Sequence, residues 1–478
     1  MHIIHLSAEC YPVAKVGGLA DVVGALPKYL NKQADQASVV IPKYDRSWIS
    51  DHKFKTVFDG QAPLGDQIFN FQIQKEVNDS LGFPFYVVDI PERFDRPGIY
   101  VNQDSGNGYW DNFERFVSFQ IAVLDWINSM EDRPDIIHCH DHHTGLVPFM
   151  ITQCYRYNEL KYIPTVLTVH NGEYQGEDSI EKTKLLPEFD MQNIGLLDWN
   201  GKLNCLAAGL KKCWQITTVS HSYMEELTRN SHGLEWLFQN EKQKSQGIIN
   251  GIDTKVWNPQ TDPMIPYHYN ARKMAEGKRK NKKALCEKFG LDPQYPTISF
   301  IGRLVREKGA DLLPDIFRTF LESWQTVNFI VLGTGNHNLH QRFEAMSNKY
   351  IGYFDASLTY NESLAHLIYA GSDFMIMPSR VEPCGLNQMY SMRYGTIPIV
   401  RNVGGLSDTV IDLGHPDGYG FVFNDFSLET ANHAVQRAIN LFQDGRKMTG
   451  IRKKIMRLDF SWNASAKEYI KMYKKLLK

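Results

Sequence analysis

Short apolar runs alternate with longer amphipathic segments along most of the 478-residue chain. Continuous apolar runs bounded by turn residues are typical of strands buried on both faces, and the segments between them have the length of helices. The pattern predicts strands at HIIHLSA, ASVVIP, FYVVDI, DIIHCH, PTVLTVH and QITTVS, and later at TISFIGR, NFIVLG, DFMIMPS and TIPIV. Strands that alternate with helices predict parallel sheets, so we expect an α/β fold of the doubly wound, Rossmann-like type.

Two features divide the chain near its middle. Segment 250–266, NGIDTKVWNPQTDPMIP, is rich in turn residues and lacks a helical period, which is typical of a linker. The sequence GGLADVV at 17–23 has a counterpart, GGLSDTV, at 404–410. The two could be a coincidence, or they could be equivalent strand-to-helix turns of two similar domains that face one cleft. The predicted parts are an N-terminal domain, 1–250, a C-terminal domain, 251–455, and a C-terminal helix, 456–478, that packs back on the N-terminal domain.

Composition and charge exclude several classes of protein. Hydrophobic residues make up 43% of the chain, charged residues 22%, and the net charge is -2, so no overall field favours nucleic acid or a membrane surface. The one strong basic cluster, 272–283, is expected to be a solvated face, although it could help to hold an anion. Seven widely spaced cysteines without a C-x-x-C pair indicate buried thiols in a reducing compartment. With neither a secretory signal nor an apolar span of about 20 residues, the expected location is the cytoplasm.

The segment AKVGGLADVVGALPKYL, which follows the first predicted strand, contains a possible anion site. It lacks both the G-x-G-x-x-G pattern of dinucleotide-binding domains and the G-x-x-x-x-G-K-[ST] pattern of phosphate loops. What remains is a strand-to-helix turn with backbone N–H groups, a helix N-terminus and the ammonium of Lys15, all of which favour a bound phosphate. An ordinary turn with a surface lysine fits the segment equally well.

Two further segments place charges after predicted strands. Arg303 and Lys308, in IGRLVREKGAD, could clamp a diphosphate, since arginine offers a planar fork and lysine a mobile charge; they could also be solvated loop residues. Glu382, in PSRVEPCGLNQ, follows a buried strand at the edge where parallel sheets bind ligands, and its carboxylate could accept sugar hydroxyls. The alternative for Glu382 is a loop residue that caps the next helix.

The histidine-rich segment HCHDHH, 138–143, raises the question of a metal site. Three of its histidines alternate on one strand face, and the segment is close to a zinc-hydrolase pattern with the aspartate one place early. No set of further ligands follows at suitable spacing, and His170 is isolated in TVHN. We therefore predict no metal site, and expect a strand end whose polar side chains face a substrate cleft.

Taken together, these segments resemble the bacterial and plant glycogen (starch) synthase family. The similar motifs run in family order from residue 6 to the final SWNASAKEYIKMY: KVGGL, DHHTGLVP, TVHN with YQG, TTVSHSY, GIINGIDTKVWNP, IGRLVREKG, and PSRVEPCGLNQ with GGLSDTV. The resemblance implies two Rossmann-like domains facing a central cleft, the GT-B arrangement. It also implies a retaining glycosyltransferase that transfers glucose from ADP-glucose, the usual bacterial donor, to the non-reducing end of an α-1,4-glucan. The implied partners are the donor and a glycogen or glucan primer, with no metal and no other cofactor.

The resemblance also implies roles for individual residues. Lys15 and the backbone of Gly18 would lie near the donor phosphates, while Arg303 and Lys308 would grip the diphosphate and stabilise the departing nucleotide. Glu382 would lie near the transferred glucose. The other implied positions are Asp141 and His170 facing the glucose, Asn250 near the hinge, Tyr360 stacked on the base, the backbone of Cys384, Gly385 and Leu386 on the sugar hydroxyls, and Thr409 beside the phosphates.

These roles agree with the chemistry of glucose transfer. Negative charge grows on the leaving diphosphate as its bond to C1 breaks, and three cationic side chains would stabilise that charge. A retaining hydrolase needs two carboxylates about 5 Å apart. This chain offers one strong candidate, Glu382, with Asp141 as a possible second from the other domain. Front-side attack, in which the leaving phosphate accepts the acceptor's proton, would fit one carboxylate.

Several departures from the family keep alternatives open. A tryptophan is usual where His142 stands, a lysine at Ala207, Ser-Pro at Ser220-His221, and a threonine at Val403. The first alternative is another retaining glycosyltransferase of the same architecture, with a UDP-glucose donor or a sucrose- or trehalose-type acceptor. The second is a catalytically weak glucan-binding protein. The third is a metal hydrolase that uses HCHDHH.

Overall fold

The computed structural model describes residues 1–33, 36–102, 105–323 and 326–478, and these form two compact units. Unit 1 comprises 1–219, 224–248 and 462–478, and unit 2 comprises 220–223 and 249–461. The chain therefore returns to its first unit at the end.

Unit 1 is built on a nine-stranded sheet in which seven neighbouring strands are parallel and two, at one edge, form an antiparallel hairpin. The strand order is β12-β11-β7-β6-β1-β2-β5-β4-β3. The strands of this sheet are β1 (His2–Leu6), β2 (Gln36–Pro42), β3 (Phe54–Leu64), β4 (Gln67–Glu76), β5 (Phe85–Asp89), β6 (Ile136–His140), β7 (Thr165–Val169), β11 (Gln215–Thr218) and β12 (Ser245–Gly247).

A small antiparallel sheet and seven helices complete the chain up to residue 248. The small sheet has the order β8-β10-β9, with β8 (Glu177–Ser179), β9 (Asp198–Trp199) and β10 (Lys202–Asn204). The helices are α1 (Gly18–Asn31), α2 (Ser47–Asp51), α3 (Asn112–Ser129), α4 (Val147–Gln153), α5 (Cys205–Lys212), α6 (His221–Leu227) and α7 (Glu235–Asn240). Short 3-10 helices lie at His142–Thr144, Tyr155–Leu160, Ile180–Leu185, Met191–Leu196 and Lys242–Lys244.

Unit 2 has one six-stranded sheet, parallel throughout, in the order β15-β14-β13-β16-β17-β18. Its strands are β13 (Thr297–Ile301), β14 (Asn328–Leu332), β15 (Phe354–Ser357), β16 (Phe374–Met377), β17 (Ile397–Arg401) and β18 (Phe421–Phe423). Its helices are α8 (Met274–Phe289), α9 (Leu313–Leu321), α10 (His337–Lys349), α11 (Glu362–Gly371), α12 (Asn387–Arg393), α13 (Gly404–Thr409), α14 (Leu428–Phe442) and α15 (Gly445–Ile455), with a 3-10 turn at Arg306–Lys308.

The predicted α/β, doubly wound character is confirmed in both units. All ten predicted apolar runs contain strands, and their residues are buried on both faces. The hairpin β3–β4 was not predicted, because the exposure of β3 alternates along most of its length and its apolar residues never form a continuous run. Segment 250–266 contains neither helix nor strand.

In each sheet the strand order reverses at one point, and this point fixes where a ligand is expected. In unit 1, β1 lies between β6 and β2; in unit 2, β13 lies between β16 and β14. Connections leave such neighbouring strands in opposite directions, which opens a crevice at their carboxyl ends. The loops after β1, β6, β13 and β16 therefore border the expected crevices.

The last helix, α16 (Trp462–Leu476), packs in the core of unit 1. Its buried face places Trp462, Tyr469 and Tyr473 in one cluster with residues of β1 and α1. The hydroxyl of Tyr473 also lies 2.6 Å from Nδ1 of His138 on β6. The amphipathic pattern of this segment thus reflects a packed helix of unit 1.

The basic segment 272–283 differs from the expected solvated face, because two of its lysines are buried. It forms most of α8, and Lys278 and Lys282 are 2% and 7% exposed. The Lys282 ammonium lies 2.6 Å from the carboxylate of Asp373, while Lys278 donates to the carbonyl of Ala370 at 3.0 Å and the hydroxyl of Thr396 at 2.8 Å. Burial lowers the pKa of Lys278 well below its ordinary value. Part of this charge run is therefore buried within unit 2, where polar groups accept its hydrogen bonds.

All seven cysteines are buried and none is in a disulfide. Among the described residues, none of the helices combines the length and the apolar character that a membrane crossing would need.

Candidate active site

The centre of the candidate site in unit 2 is an ion pair between Lys308 and Glu382. The lysine lies in the loop after β13 and the glutamate in the loop after β16, and the two atoms, Nζ and Oε1, are 2.6 Å apart. Glu382 is 5% exposed, and its other oxygen, Oε2, accepts a hydrogen bond of 2.9 Å from Ser379. A buried carboxylate with both oxygens engaged is fixed in position, so the pair forms a rigid charged group at the predicted crevice.

A glycine allows these two loops to approach each other. Gly309 has φ of +66° and ends the 3-10 turn that carries Lys308. A Cβ atom at this position would lie 2.0 Å from the carbonyl oxygen of Pro378, in the loop after β16. Both the left-handed backbone and the close contact therefore require glycine here.

Arg380, in the loop after β16, also forms hydrogen bonds with the loop that carries Lys308. Its backbone N–H donates to the carbonyl of Glu307 at 2.7 Å, and its guanidinium donates to the carbonyl of Arg306 at 2.7 Å. The guanidinium also forms a two-pronged pair with Asp311, at 2.6 and 2.8 Å. Sequence reasoning missed this residue, because its partners lie about 70 positions earlier in the chain and nothing local marks them.

Arg303 lies in the Lys308 loop but reaches solvent. Its side chain is 66% exposed, and its guanidinium is 3.1 Å from the carboxylate of Glu307. An exposed guanidinium beside a loop lysine keeps its donors accessible to an anion.

The EPCGLNQ segment forms a buried turn that leads into α12. Gly385 has φ of +72°, and Leu386 precedes the first residue of the helix. The amide of Gln388 donates to the carbonyls of Cys384 and Gly385 at 3.1 and 2.9 Å. Burial raises the pKa of the Cys384 thiol to about 12, so this residue is a neutral packing group.

Thr409 is hydrogen-bonded to Gln388 of this turn. It is fully buried, its hydroxyl donates to the carbonyl of Gly405 at 2.6 Å, and it accepts a hydrogen bond of 3.0 Å from Gln388. Its side chain is therefore engaged inside unit 2, although α13, which it ends, begins at the same sheet edge. The implied role beside the donor phosphates stays a prediction.

Two other residues predicted to lie near the nucleotide-sugar donor have contrasting environments. Asn250 is 6% exposed, and its side-chain oxygen has no hydrogen-bond partner among the described residues, so it can accept one from a ligand. Tyr360, between β15 and α11, is 80% exposed, which leaves most of its ring available for stacking.

In unit 1, the turn after β1 has different properties from those its sequence suggests. The N–H groups of Val16 and Gly17 both donate to the carboxylate of Glu9, at 2.5 and 3.0 Å, so these two amides are not free for a phosphate. Lys15 forms an ion pair of 2.7 Å with Asp21 and is 42% exposed. Gly18 begins α1, and a Cβ atom there would meet nothing within 4 Å. An anion at this turn would be held by the lysine over an open surface. Sequence reasoning missed Glu9, which is 3% exposed.

Asp141 and His170 meet at the carboxyl ends of β6 and β7. The N–H of His170 donates to Oδ1 of Asp141 at 2.7 Å. Asp141 has φ of +56°, an unusual backbone conformation for a residue other than glycine, which is frequent at functional sites. Burial raises the pKa of Asp141 to about 7 and lowers that of His170 to about 3. His170 is therefore neutral, and Asp141 titrates near neutral pH.

His170 is the outer member of a row of buried histidines. Its Nε2 lies 3.0 Å from Nδ1 of His140, whose Nε2 lies 3.1 Å from Nδ1 of His5. One ring nitrogen each from His5, His138 and His140 lies within 4.8 Å of the other two, a spacing that could suit a metal ion. Both nitrogens of His138, however, are already hydrogen-bonded, to Tyr473 and Thr168 at 2.6 Å. The predicted absence of a metal site stays a prediction.

Most of the predicted residues thus follow the carboxyl ends of strands in one unit or the other. Comparison with known proteins identifies both parts: residues 2–240 match the model of the starch synthase catalytic domain, and residues 281–453 match that of glycosyl transferases group 1. A glycogen synthase of Flavobacterium johnsoniae is 49% identical over 474 residues, which cover 99% of this chain and 98% of the relative. A glycogen synthase of Streptococcus gordonii is 37% identical over the full length of both chains.

This chain belongs to the glycogen and starch synthase family. The catalytic domain of starch synthase IV from Arabidopsis thaliana, bound to ADP and acarbose, has a TM-score of 0.86 and 32% identity, covering 100% of this chain and 99% of that one. Sucrose-phosphate synthase from Thermosynechococcus elongatus shares the fold, with a TM-score of 0.62 and 17% identity over 99% of this chain and 98% of that one. The fold class and the family resemblance expected from the sequence are confirmed, and the chain is a glycosyltransferase of the GT-B type.

Membership of the glycogen and starch synthase family gives the departures their structural context. His142 stands on the 3-10 turn after β6, where its Nδ1 is 3.0 Å from the carbonyl of Tyr174. Ala207 is buried in the first turn of α5, and Val403 immediately precedes α13. None of these three positions carries a charge of the candidate site.

Proposed function

We propose that this chain is a glycogen synthase that transfers glucose from ADP-glucose to the non-reducing end of an α-1,4-glucan with retention of configuration. The observation that carries the proposal is the Lys308–Glu382 ion pair. It joins the two loops at the switch point of unit 2, in a chain that is 49% identical to a glycogen synthase over 99% of its length. A glucan-binding protein has no need of a lysine paired with a buried carboxylate at this point.

Lys308 and Arg303 are the groups that stabilise the leaving nucleotide in this proposal. As the bond between C1 and the diphosphate breaks, negative charge grows on the phosphate oxygens. Arg303 has an accessible guanidinium, and Lys308 is already held in place by Glu382 before that charge appears. Lys15 of unit 1 adds a third positive charge for the phosphates when Asp21 releases it.

Glu382, His170 and Asp141 are the groups that hold the transferred glucose. The Glu382 carboxylate accepts hydrogen bonds from the sugar hydroxyls, and the backbone N–H groups of Cys384, Gly385 and Leu386 donate to them. His170 is a neutral imidazole, which positions a hydroxyl without repelling the oxocarbenium-like ring. With one strong carboxylate, front-side attack fits this chain: the leaving phosphate accepts the proton of the acceptor hydroxyl. Trapping a glucosyl adduct on Glu382 or Asp141 would contradict this route.

The ring of Tyr360 suits a stacked base, and ADP is the nucleotide bound in the Arabidopsis starch synthase structure. A flat ring stacks on adenine and uracil alike, so the ADP preference rests on the resemblance to bacterial relatives. We further propose that no metal or other cofactor takes part, that the enzyme acts in the cytoplasm, and that it has no nucleic-acid or membrane partner.

The proposal is tested by initial rates with ADP-glucose and UDP-glucose on the same glycogen primer, with free glucose, fructose 6-phosphate and glucose 6-phosphate as competing acceptors. We expect radiolabelled glucose to enter glycogen from ADP-glucose, with unchanged rates after EDTA treatment. Faster transfer from UDP-glucose would overturn the donor assignment. Transfer to the free sugars alone would favour the sucrose- or trehalose-type alternative, and binding of glycogen without transfer from either donor would favour the glucan-binding one.

A further inference from the structure

Two tryptophans form an exposed aromatic pair in unit 1 that no part of the proposed mechanism uses. The rings of Trp199 and Trp236 have centroids 6.3 Å apart and an angle of 33° between their planes. Trp236 is 65% exposed and Trp199 is half-buried, so together they present an apolar surface to solvent. Single exposed aromatic residues are common, but adjacent ones form a contiguous apolar surface, which is the feature associated with binding sites.

The Trp199 ring is held rigidly. Trp199 ends β9, and the next two residues, Asn200 and Gly201, have φ of +55° and +80°, as required by a tight two-residue hairpin turn. The indole N–H donates to the carbonyl of Gly233 at 3.0 Å, and the Lys211 ammonium lies 5.1 Å from the ring centroid. A ring fixed in this way loses little conformational entropy when a ligand binds.

The turn that precedes Trp236 is fixed by hydrogen bonds. Trp236 lies in the first turn of α7, next to Glu235. The Glu235 carboxylate accepts hydrogen bonds from the N–H groups of Ser231 and Gly233, at 2.7 and 3.2 Å. Gly233 therefore binds both the Trp199 indole and Glu235, the neighbour of Trp236, so both tryptophans adjoin one hydrogen-bonded turn.

Gln175 connects this pair to the loop that follows His170. It is buried, and its amide donates to the carbonyls of Ser231 and His232 at 3.0 and 3.2 Å. Its side-chain oxygen accepts a hydrogen bond of 2.7 Å from Asn204, at the end of β10. Gln175 therefore fastens three segments together: the loop 170–176, the strand that follows the Trp199 hairpin, and the turn before Trp236.

We propose that Trp199 and Trp236 form an acceptor-binding platform on which a glucose unit of the α-1,4-glucan chain stacks, away from the reacting end. This inference rests on the proposed function, since it assigns the pair to the acceptor of the same reaction. A glucan is uncharged, and the C–H face of each glucose ring is apolar, so a flat indole surface suits it better than charged groups do. An acceptor chain also extends beyond the residue that reacts, and the platform lies on the unit that carries His170 and Asp141, joined to their loop by Gln175.

The test measures equilibrium binding of maltoheptaose and maltotriose without donor, by calorimetry, and retardation in native gels that contain glycogen. For Trp236→Ala and for Trp199→Phe combined with Trp236→Ala, we expect maltoheptaose affinity to fall roughly three- to tenfold, the range of an aromatic stacking contact. Maltotriose affinity should fall less, because a shorter chain reaches fewer contacts. Trp236→Phe keeps a flat ring and should restore most of the affinity. In activity assays, the KM for glycogen should rise more than kcat falls.

Trp214→Ala is the matched control. This tryptophan is also exposed, at 44%, and belongs to the same unit, but it precedes β11 at the amino edge of the sheet, opposite the edge that bears His170. Its affinity for both sugars should equal that of the wild type. Equal binding by wild type and Trp236→Ala would overturn the platform, and so would a change in oligomeric mass with unchanged glucan binding, which would mark a self-association surface. Because binding is measured without donor, these outcomes can be read whether or not the chain transfers glucose.

Discussion

The two Gly-Gly-Leu turns of this chain share their sequence but differ in what their glycines do. At the first turn, a Cβ atom on Gly17 or Gly18 would meet nothing within 4 Å. At the second, a Cβ on Gly404 would lie 2.0 Å from the carbonyl oxygen of Glu382, and one on Gly405 would lie 2.1 Å from that of Cys384. The first turn therefore leaves open space at the start of α1, whereas the second packs directly against the loop that carries Glu382.

This difference shows that an identical motif can be selected for opposite physical reasons. The second turn requires glycine so that the Glu382 loop can pack on it, and the N–H of Gly405 donates to the Glu382 carbonyl at 3.1 Å. The first turn keeps its glycines although no contact demands them, which agrees with a surface reserved for a ligand near Lys15. A repeated motif therefore indicates equivalent positions in two units without indicating equivalent roles.

The largest expected effect concerns the ion pair that the second turn supports. Lys308→Ala should lower kcat by roughly 100- to 1,000-fold, as loss of a transition-state charge contact does. Glu382→Ala should have an effect of similar size, with folding preserved. Single-turnover rates with labelled ADP-glucose, together with circular dichroism, measure both properties. Near-normal turnover in either variant would refute the assignment, while Lys280→Ala, on an exposed face of α8, serves as a control for lost positive charge.

The next effect compares the turns directly. Gly405→Ala should destabilise the protein by about 1–3 kcal/mol, because the new methyl group overlaps backbone that cannot move freely, and it should lower kcat by displacing Glu382. Gly17→Ala, whose φ of -140° is open to any residue, should change the unfolding free energy by less than about 0.5 kcal/mol. Urea denaturation of the two variants decides the point. Equal stabilities would show that the contrast between the turns has no energetic meaning.

Acid should affect unit 1 before unit 2. Burial lowers the pKa of seven histidines of unit 1: His2, His5, His138, His140, His142, His143 and His170. Below about pH 6.5 these histidines are protonated in the unfolded chain but stay neutral in the folded unit. The stability of unit 1 therefore falls as the pH drops. In unit 2, contacts with basic groups lower the pKa of carboxyls such as Asp373 and Asp412, whose stabilising effect is lost only at lower pH, as they are protonated. Hydrogen exchange between pH 7 and pH 4 should show earlier loss of protection in β6 and β7 than in β13 and β16; the reverse order would contradict this reasoning.

The last expected effect concerns the pH dependence that Asp141 contributes. Its folded pKa of about 7 lies above its ordinary value of 3.8, so the folded state binds a proton more tightly and loses stability as pH rises from about 4 to about 7. Asp141→Asn removes this term, and its stability relative to wild type should therefore improve over that interval. The pH dependence of kcat/KM should also lose an inflection near 7. Parallel profiles for the two proteins would show that Asp141 does not titrate there.

The sequence predicts the parallel sheets well, because continuous apolar runs carry their own signal. Contacts between distant segments leave no such signal in the sequence. Lys278 and Lys282 were expected to be solvated, because the carbonyl and the carboxylate that accept their hydrogen bonds lie about 90 residues away. Glu9, which accepts hydrogen bonds from two amides of the first turn, lies only seven and eight residues before them, but no motif marks this contact. The predicted site residues do gather at two sheet edges, since the motifs follow strands whose order is regular, but their roles stay predictions until variants are measured.

The return of α16 to unit 1 has a consequence for synthesis of the protein. A ribosome produces residues 1–248 long before Trp462, Tyr469 and Tyr473, which belong to the same core. Until those residues emerge, the apolar residues of β1 and α1 lack the partners that cover them in the folded unit. A chain cut short before residue 462 would therefore expose part of this core to chaperones and proteases.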